Sequence, residues 1–169
     1  MRLLAPACTI GLVALLAGSA GAALIVDTSN PGPVASIRLW FAPQFTVEEE
    51  YLITRIWTYH WYQGDSPIGQ IWLAHSDGTI YGPWDPIVSD GVRNQPNVNW
   101  DVYPDATIKP GTYIVWDSAL DTWSHNAESG HYGFARVEGR PAMPEPAAMA
   151  LLAMGGLLLM RRRAVPVGR

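Results

Sequence analysis

Hydrophobic residues between positions 35 and 138 occur in short runs, and glycine, proline, asparagine or aspartate separates one run from the next. No run shows a convincing helical period, whereas short runs bounded by turn residues are typical of β-strands. Strands are predicted at 35–41, 51–62, 70–74, 79–81, 98–103, 112–117 and 132–138. Strands at this spacing predict an all-β fold, an antiparallel β-sandwich or jelly roll, in a single domain over residues 24–140.

Three segments carry the clearest local signals. Tyr51–Tyr62 (YLITRIWTYHWY) is rich in β-branched and aromatic residues and is the strongest strand prediction. Ser76–Gly78 predicts a hairpin loop, with glycine where φ must be positive. Thr46–Glu50 is the one predicted helical turn, because threonine is a good N-cap and acidic residues favour a first helical turn.

The N-terminal residues predict a secretory signal peptide over residues 1–22, removed on export. Met1-Arg2 carries one positive charge, an apolar core follows, and Ala20–Ala22 is a small-residue cleavage motif, with the cut after Ala22 or Ala23. Cys8 is the one cysteine of the chain and lies inside this segment. The mature protein is therefore predicted to have no disulfide and no thiol chemistry.

The C-terminal residues combine three signals in a fixed order. Pro144-Glu145-Pro146 is followed by the uncharged segment Ala147–Met160 and then by Arg161-Arg162-Arg163. As a transmembrane helix, residues 147–160 would span about 21 Å of a hydrocarbon core about 30 Å thick. This length favours a temporary retention signal over a permanent anchor, with the arginines on the cytoplasmic side.

Residues 143–163 resemble the PEP-CTERM sorting signal in the order and position of these parts. In that family an exosortase, a membrane-embedded cysteine transpeptidase, recognises the tail. The resemblance implies an exported protein of a Gram-negative, exopolysaccharide-producing bacterium, held at the inner membrane and then placed at the cell surface or in the extracellular matrix. The chain departs from the pattern by continuing through residues 164–169. A plain C-terminal membrane anchor is the alternative.

The charge of the mature domain differs from that of the whole chain. Residues 24–143 contain six of the eleven Lys and Arg residues and fourteen of the fifteen Asp and Glu residues, which gives a net charge of −8. An acidic surface repels phosphate backbones, so nucleic acid is not predicted as a partner. This charge is compatible with the binding of calcium or of neutral glycans, or with a role in solubility alone.

All eight tryptophans, seven tyrosines and three phenylalanines lie between positions 40 and 134. Aromatic rings supply core volume, and they also offer flat faces on which sugar rings stack. Strand alternation places Trp57, Tyr59 and Trp61 on one face, which forms either a stacking platform for a glycan or the inner wall of the sandwich. Burial statistics favour the inner wall.

Three other tryptophans are the predicted ligand-stacking residues. They lie beside proline, glycine, asparagine or aspartate, hence on loops or strand ends, where binding residues gather. These residues are Trp84, Trp100 and Trp123. Each ring alone also fits a role in closing one end of the sandwich.

The segment 117–128 is rich in the hard oxygen ligands that calcium prefers. The same residue types also close turns by bonding to their own backbone, and the spacing does not match the twelve-residue calcium loop. The candidate calcium ligands are Asp117, Asp121, Asn126 and Glu128. The four histidines show no spacing typical of a transition-metal site, so no such site is predicted.

No motif nominates a catalytic residue, because the chain lacks a Gly-x-Ser-x-Gly elbow and no pair of acids is singled out. The segments 56–61, 81–84, 111–118 and 122–126 are similar to parts of an uncharacterised secreted β-module that has no known activity. The favoured function is therefore a non-catalytic binding or structural module associated with exopolysaccharide, with calcium as the one candidate cofactor. The alternatives are a small secreted polysaccharide hydrolase and a calcium-dependent adhesion or self-assembly module.

Overall fold

The computed structural model describes residues 21–34 and 41–142. These residues form ten strands and one short 3₁₀ helix, Val92–Asn94, which lies between β6 and β7. The strands are β1 (Ala23–Asp27), β2 (Gln44–Val47), β3 (Tyr51–Tyr59), β4 (Ile71–His75), β5 (Ile80–Trp84), β6 (Ile87–Ser89), β7 (Asn99–Val102), β8 (Ala106–Ile108), β9 (Gly111–Asp117) and β10 (Ala135–Pro141). Every pairing between these strands is antiparallel.

The strands form two sheets. The larger sheet has six strands in the order β1-β10-β3-β7-β6, with β8 paired to the first half of β3. The smaller sheet has four strands in the order β2-β9-β4-β5. β3 is thus central in the larger sheet, with β10 along one edge and β7 and β8 along the other. Side chains on one face of β3 can therefore contribute to the core, and those on the other face can contribute to a surface site.

One hydrophobic core lies between the two sheets. Ile53, Ile56 and Val137 of the larger sheet belong to the same buried cluster as Leu73 and Val115 of the smaller sheet. Phe45 and Tyr113 stack within the smaller sheet, with 5.4 Å between ring centroids. A shared core between facing antiparallel sheets is the arrangement of a β-sandwich. The all-β prediction is confirmed, and the sandwich prediction fits this architecture.

The predicted helical turn at Thr46–Glu50 is wrong. Gln44–Val47 is strand β2, and the chain bends at Glu48 and Glu49 before β3 begins. Phe45 and Val47 alternate with exposed Gln44 and Thr46, so strand pairing buries two apolar side chains that a helical turn would separate. Burial therefore outweighs the local capping preference.

The boundaries of other predicted strands shift by a few residues. β3 ends at Tyr59, because the carbonyl of His60 accepts a hydrogen bond from the amide of Gln63 at 3.0 Å and the chain turns there. The Ser76–Gly78 hairpin loop is confirmed, with Gly78 at φ +90°. Strands β1, β6 and β8 lacked a recognised signal in the sequence.

Several predictions fall on residues that the structure does not describe. The signal peptide lies almost entirely in residues 1–20, the strand at 35–41 is described only at Phe41, and the sorting signal lies in 143–169. The predicted cleavage point lies at the start of β1. Over residues 21–34 and 41–142, no helix is both long and apolar enough to cross a membrane.

Candidate functional site

A groove of about 790 Å³ lies on the outer face of the six-stranded sheet. Aromatic rings of β3 form its floor, and the loop after β1 forms one wall. We call it the aromatic groove, and its lining residues are Ser29, Asn30, Pro31, Gly32, Pro33, Val34, Trp57, Tyr59, Trp61, Val92, Arg93, Phe134 and Arg136.

The floor of the aromatic groove is a row of three rings. The centroids of Trp57 and Tyr59 are 5.7 Å apart, and those of Tyr59 and Trp61 are 6.3 Å apart. All three side chains are half-buried, whereas Thr58 and His60, which alternate with them, are completely buried. The favoured interpretation of this row as the inner wall of the sandwich is therefore wrong, and the rings face outward.

The chain beyond β3 is held in place so that the row continues past the end of the strand. The amide of Trp61 donates a hydrogen bond to Ser124 Oγ at 2.8 Å, and the amide of Ser124 donates to the carbonyl of Tyr59 at 2.8 Å. The amide of Tyr59 in turn donates to the carbonyl of Phe134 at 3.2 Å. Trp61 therefore extends the floor although it lies outside the strand.

A buried polar cluster explains why Thr58 and His60 point inward. His60 Nε2 lies 3.1 Å from Asp117 Oδ2, and His60 Nδ1 lies 2.9 Å from Thr122 Oγ1. Thr58 Oγ1 also donates to Asp117 Oδ2, at 3.2 Å. The His60 ring stacks on Trp100, with 3.8 Å between centroids. Because buried polar groups need partners, this histidine cluster (Thr58, His60, Asp117 and Thr122) fixes which face of β3 is internal.

The histidine cluster has the connectivity of a hydroxyl–imidazole–carboxylate relay, but its surroundings are those of a structural element. His60 and Asp117 are completely buried. Thr122 Oγ1 lies 2.8 Å from Gln63 Oε1 and 3.2 Å from the carbonyl of Ala119, so its hydroxyl is already held by the protein. A nucleophile is activated by giving its proton to an adjacent base, whereas the half-buried Thr122 hydroxyl donates to Gln63 Oε1. We therefore assign this cluster to the support of β3 and of the loop that follows β9.

The wall of the aromatic groove is fixed by a reciprocal pair of side-chain amides. Asn30 Nδ2 donates to Asn126 Oδ1 at 2.9 Å, and Asn126 Nδ2 donates to Asn30 Oδ1 at 2.8 Å. Asn126 Nδ2 also approaches the carbonyl of Pro33 at 3.2 Å, and Thr28 Oγ1 donates to the carbonyl of Gly133 at 2.6 Å. These bonds join the loop after β1 to the loop before β10, so the wall is formed before any ligand binds.

We expect the Asn126→Ala variant to lose about 1–2 kcal/mol in free energy of unfolding, because Asn30 and the amide of Ser129 lose their partner in a partly buried site. Urea unfolding measures this loss. Glu128→Ala is the control, since Glu128 is an exposed side chain in the same loop and its removal is expected to change stability by less than about 0.5 kcal/mol. Equal stability of the two variants would contradict the role of the amide pair.

The predicted stacking tryptophans do not line the aromatic groove. Trp100 and Trp123 are completely buried, and their indole nitrogens donate to the carbonyls of Asn97 and Phe134 at 2.8 and 2.9 Å. Neither ring can stack on a ligand, so these two predictions are wrong and both residues serve the core. Trp84 is half-buried on β5 in the smaller sheet, where it packs against the core.

The candidate calcium ligands are not gathered into one site. Asp117 Oδ1 accepts a hydrogen bond from the amide of Ala119 at 2.7 Å, and its Oδ2 belongs to the histidine cluster. Both polar atoms of the Asn126 amide are engaged as described above, whereas Asp121 and Glu128 are exposed. Throughout the described ranges, no three His, Cys, Asp or Glu side chains lie close enough to hold a metal ion. Calcium binding by the protein stays a prediction.

Comparison with models of protein families, with curated proteins and with solved structures finds no match to this chain. The function is therefore inferred from the geometry of the site.

Sequence reasoning missed the wall and the two charged residues of the aromatic groove. Asn30, Arg93 and Arg136 lie far apart along the chain and belong to no motif. The one local signal for the wall is the segment Ser29–Pro33, whose asparagine, prolines and glycine predict a loop. This loop forms the wall of the groove because Asn30 pairs with Asn126, which is distant in the sequence.

Proposed function

We propose that the protein is a non-catalytic glycan-binding module that holds exopolysaccharide in the aromatic groove. The observation that carries this proposal is the row of Trp57, Tyr59 and Trp61 along the floor of an open groove. A pyranose ring has an apolar face of C–H groups, which packs on an aromatic face while its hydroxyl groups remain free at the edges. Adjacent rings offer consecutive stacking positions to consecutive sugar units of a polymer.

The edges of the aromatic groove supply the polar groups that sugar hydroxyls need. Ser29 lies on the wall, where its hydroxyl donates to Asp27 Oδ1 at 2.6 Å and its oxygen can still accept a hydrogen bond. The guanidinium groups of Arg93 and Arg136 line the groove as hydrogen-bond donors. The Tyr59 phenol is neutral at physiological pH and able to donate a hydrogen bond, and burial raises its pKa further above that range. An apolar floor with a few fixed polar groups at the rim is typical of small-molecule and carbohydrate sites.

Binding is favoured over hydrolysis by the residues that line the aromatic groove. Most glycoside hydrolases place two carboxylates on either side of the scissile bond. Neither aspartate nor glutamate is among the described lining residues. In this proposal the tail at 143–163 delivers the module through the exosortase to the cell surface or matrix, where the polymer is found.

The proposal is tested by titrating the full chain, purified in mild detergent, with a panel of neutral and acidic soluble polysaccharides. We expect saturable binding to at least one polymer and a change in tryptophan fluorescence, because the floor contains two indoles. Calcium and a chelator are compared in parallel, which tests the calcium-dependent alternative. Release of reducing sugar is measured in the same samples. Absence of saturable binding across the panel, or turnover of the polymer, would contradict the proposal.

A further inference from the structure

The aromatic groove carries positive charge in a domain that is otherwise strongly acidic. Residues 24–143 contain six basic and fourteen acidic residues, a net charge of −8. Two of the basic residues, Arg93 and Arg136, line the groove, and the described lining includes no acidic residue. Arg136 pairs with Asp27, and Arg55 pairs with Asp101 and Glu138 elsewhere in the larger sheet. In contrast to both, Arg93 forms no ion pair within the described residues. The described lining therefore carries two guanidinium groups and no carboxylate where the ligand of the proposed function would bind.

Arg136 is held in a fixed position with its outer end open. Its Nε donates to Asp27 Oδ2 at 2.9 Å, and its guanidinium carbon lies 5.2 Å from the centroid of the Trp57 ring. These contacts orient the planar group between an acid on β1 and an indole on β3. Within the described residues, the two terminal amino groups of Arg136 make no hydrogen bond, and the side chain is 46% exposed. A fixed guanidinium with free donors matches the planar geometry of a carboxylate.

Arg93 supplies the uncompensated charge of the groove. It lies on the short 3₁₀ helix, is exposed, and forms no ion pair with any residue in 21–34 or 41–142. Its backbone adopts the left-handed conformation, with φ 59° and ψ 30°. Such a conformation is unfavourable for a residue other than glycine, and it persists where the surrounding structure imposes it. Neighbouring Asn94 is also left-handed, at φ 53°, so two consecutive non-glycine residues of this segment hold that conformation.

We infer that the aromatic groove selects a carboxylated polysaccharide, with Arg93 and Arg136 binding its carboxylates while the sugar rings stack on Tyr59 and Trp61. This inference rests on the proposed function and names the chemical class of its ligand. The net charge of the domain by itself disfavours an acidic polymer, but at physiological ionic strength charges act over a Debye length of about 8 Å. Asp27 compensates the charge of Arg136, so the uncompensated charge on the groove lining itself is that of Arg93. This nearby charge acts on a bound polymer more strongly than the net charge of the whole domain does.

The test compares one polymer in two forms. The full chain in mild detergent is titrated with a soluble polyuronate and with the same polyuronate after its carboxyl groups have been reduced to alcohols. We expect the charged form to bind at least about tenfold more tightly, since a hydrogen bond to a charged group contributes enough free energy for that factor. Arg93→Gln lowers the affinity for the charged form about tenfold and leaves the affinity for the reduced form unchanged.

Arg140→Gln is the matched control, because Arg140 lies on β10 but outside the groove lining. Its affinities for both polymer forms should equal those of the unchanged protein. Equal binding of the two forms, with no effect of Arg93→Gln, would overturn the inference and leave glycan binding intact. A sulfated neutral glucan that binds as tightly as the polyuronate would also overturn it, since the groove would then accept any polyanion. Absence of binding to either polymer form would overturn both the inference and the proposed function.

Discussion

We expect the Asp117→Ala variant to lose about 3 kcal/mol in free energy of unfolding. Asp117 is completely buried, and its two carboxylate oxygens contact the His60 ring, the Thr58 hydroxyl and the amide of Ala119. Removing the carboxylate leaves the amide of Ala119 without its partner. The Thr58 hydroxyl and His60 Nε2, which are 3.0 Å apart, then have only each other in the core. A domain of this size is stable by about 5–15 kcal/mol, so the loss is a large part of the total.

Urea unfolding followed by tryptophan fluorescence measures this effect, because Trp100 and Trp123 stack on the His60 ring at 3.8 and 6.4 Å. Asp121→Ala is the matched control. Asp121 lies four residues further along the chain, in the loop that follows β9, but is exposed, and we expect a change of less than about 0.5 kcal/mol. If both variants unfold at the same urea concentration, the histidine cluster does not support the fold as described.

The second large effect concerns ligand binding. We expect Trp61→Ala to weaken the affinity for the bound polysaccharide by about 30-fold, the factor that corresponds to about 2 kcal/mol for a central aromatic residue of an interface. Trp61 contacts Tyr59 in the row but lies beyond the end of β3. Alanine retains the backbone amide that donates a hydrogen bond to Ser124. The variant therefore loses the indole ring from the floor while the backbone keeps its position.

Trp72→Ala is the control for this loss. Trp72 is also a half-buried tryptophan, but it lies on β4 in the smaller sheet, where it stacks on Trp116 with 6.5 Å between centroids. Its removal tests whether binding requires the aromatic groove or any surface tryptophan. Retained affinity in Trp61→Ala, or an equal loss in both variants, would contradict the assignment of the groove.

Local sequence signals predict the strands and turns better than the residues of the aromatic groove. The Ser76–Gly78 turn and the strand that begins at Tyr51 depend on residues adjacent in the chain, and both are present in the structure. The prediction of stacking tryptophans depends on the turn-forming residues that flank them, yet Trp100 and Trp123 are completely buried. Turn residues mark where a strand ends, but they carry no information on whether the neighbouring ring faces the core or solvent.

The sequence by itself determined the all-β character of the domain, through short apolar runs and the glycine and proline residues between them. Only the tertiary structure decided which face of β3 is external. Both faces carry large side chains, and hydrophobicity alone places Trp57, Tyr59 and Trp61 inside. His60 lies inside instead because its partners Asp117 and Thr122, which are 57 and 62 residues away in the chain, meet it across the fold. A buried imidazole is stable only with such partners, and their approach depends on the packing of the two sheets.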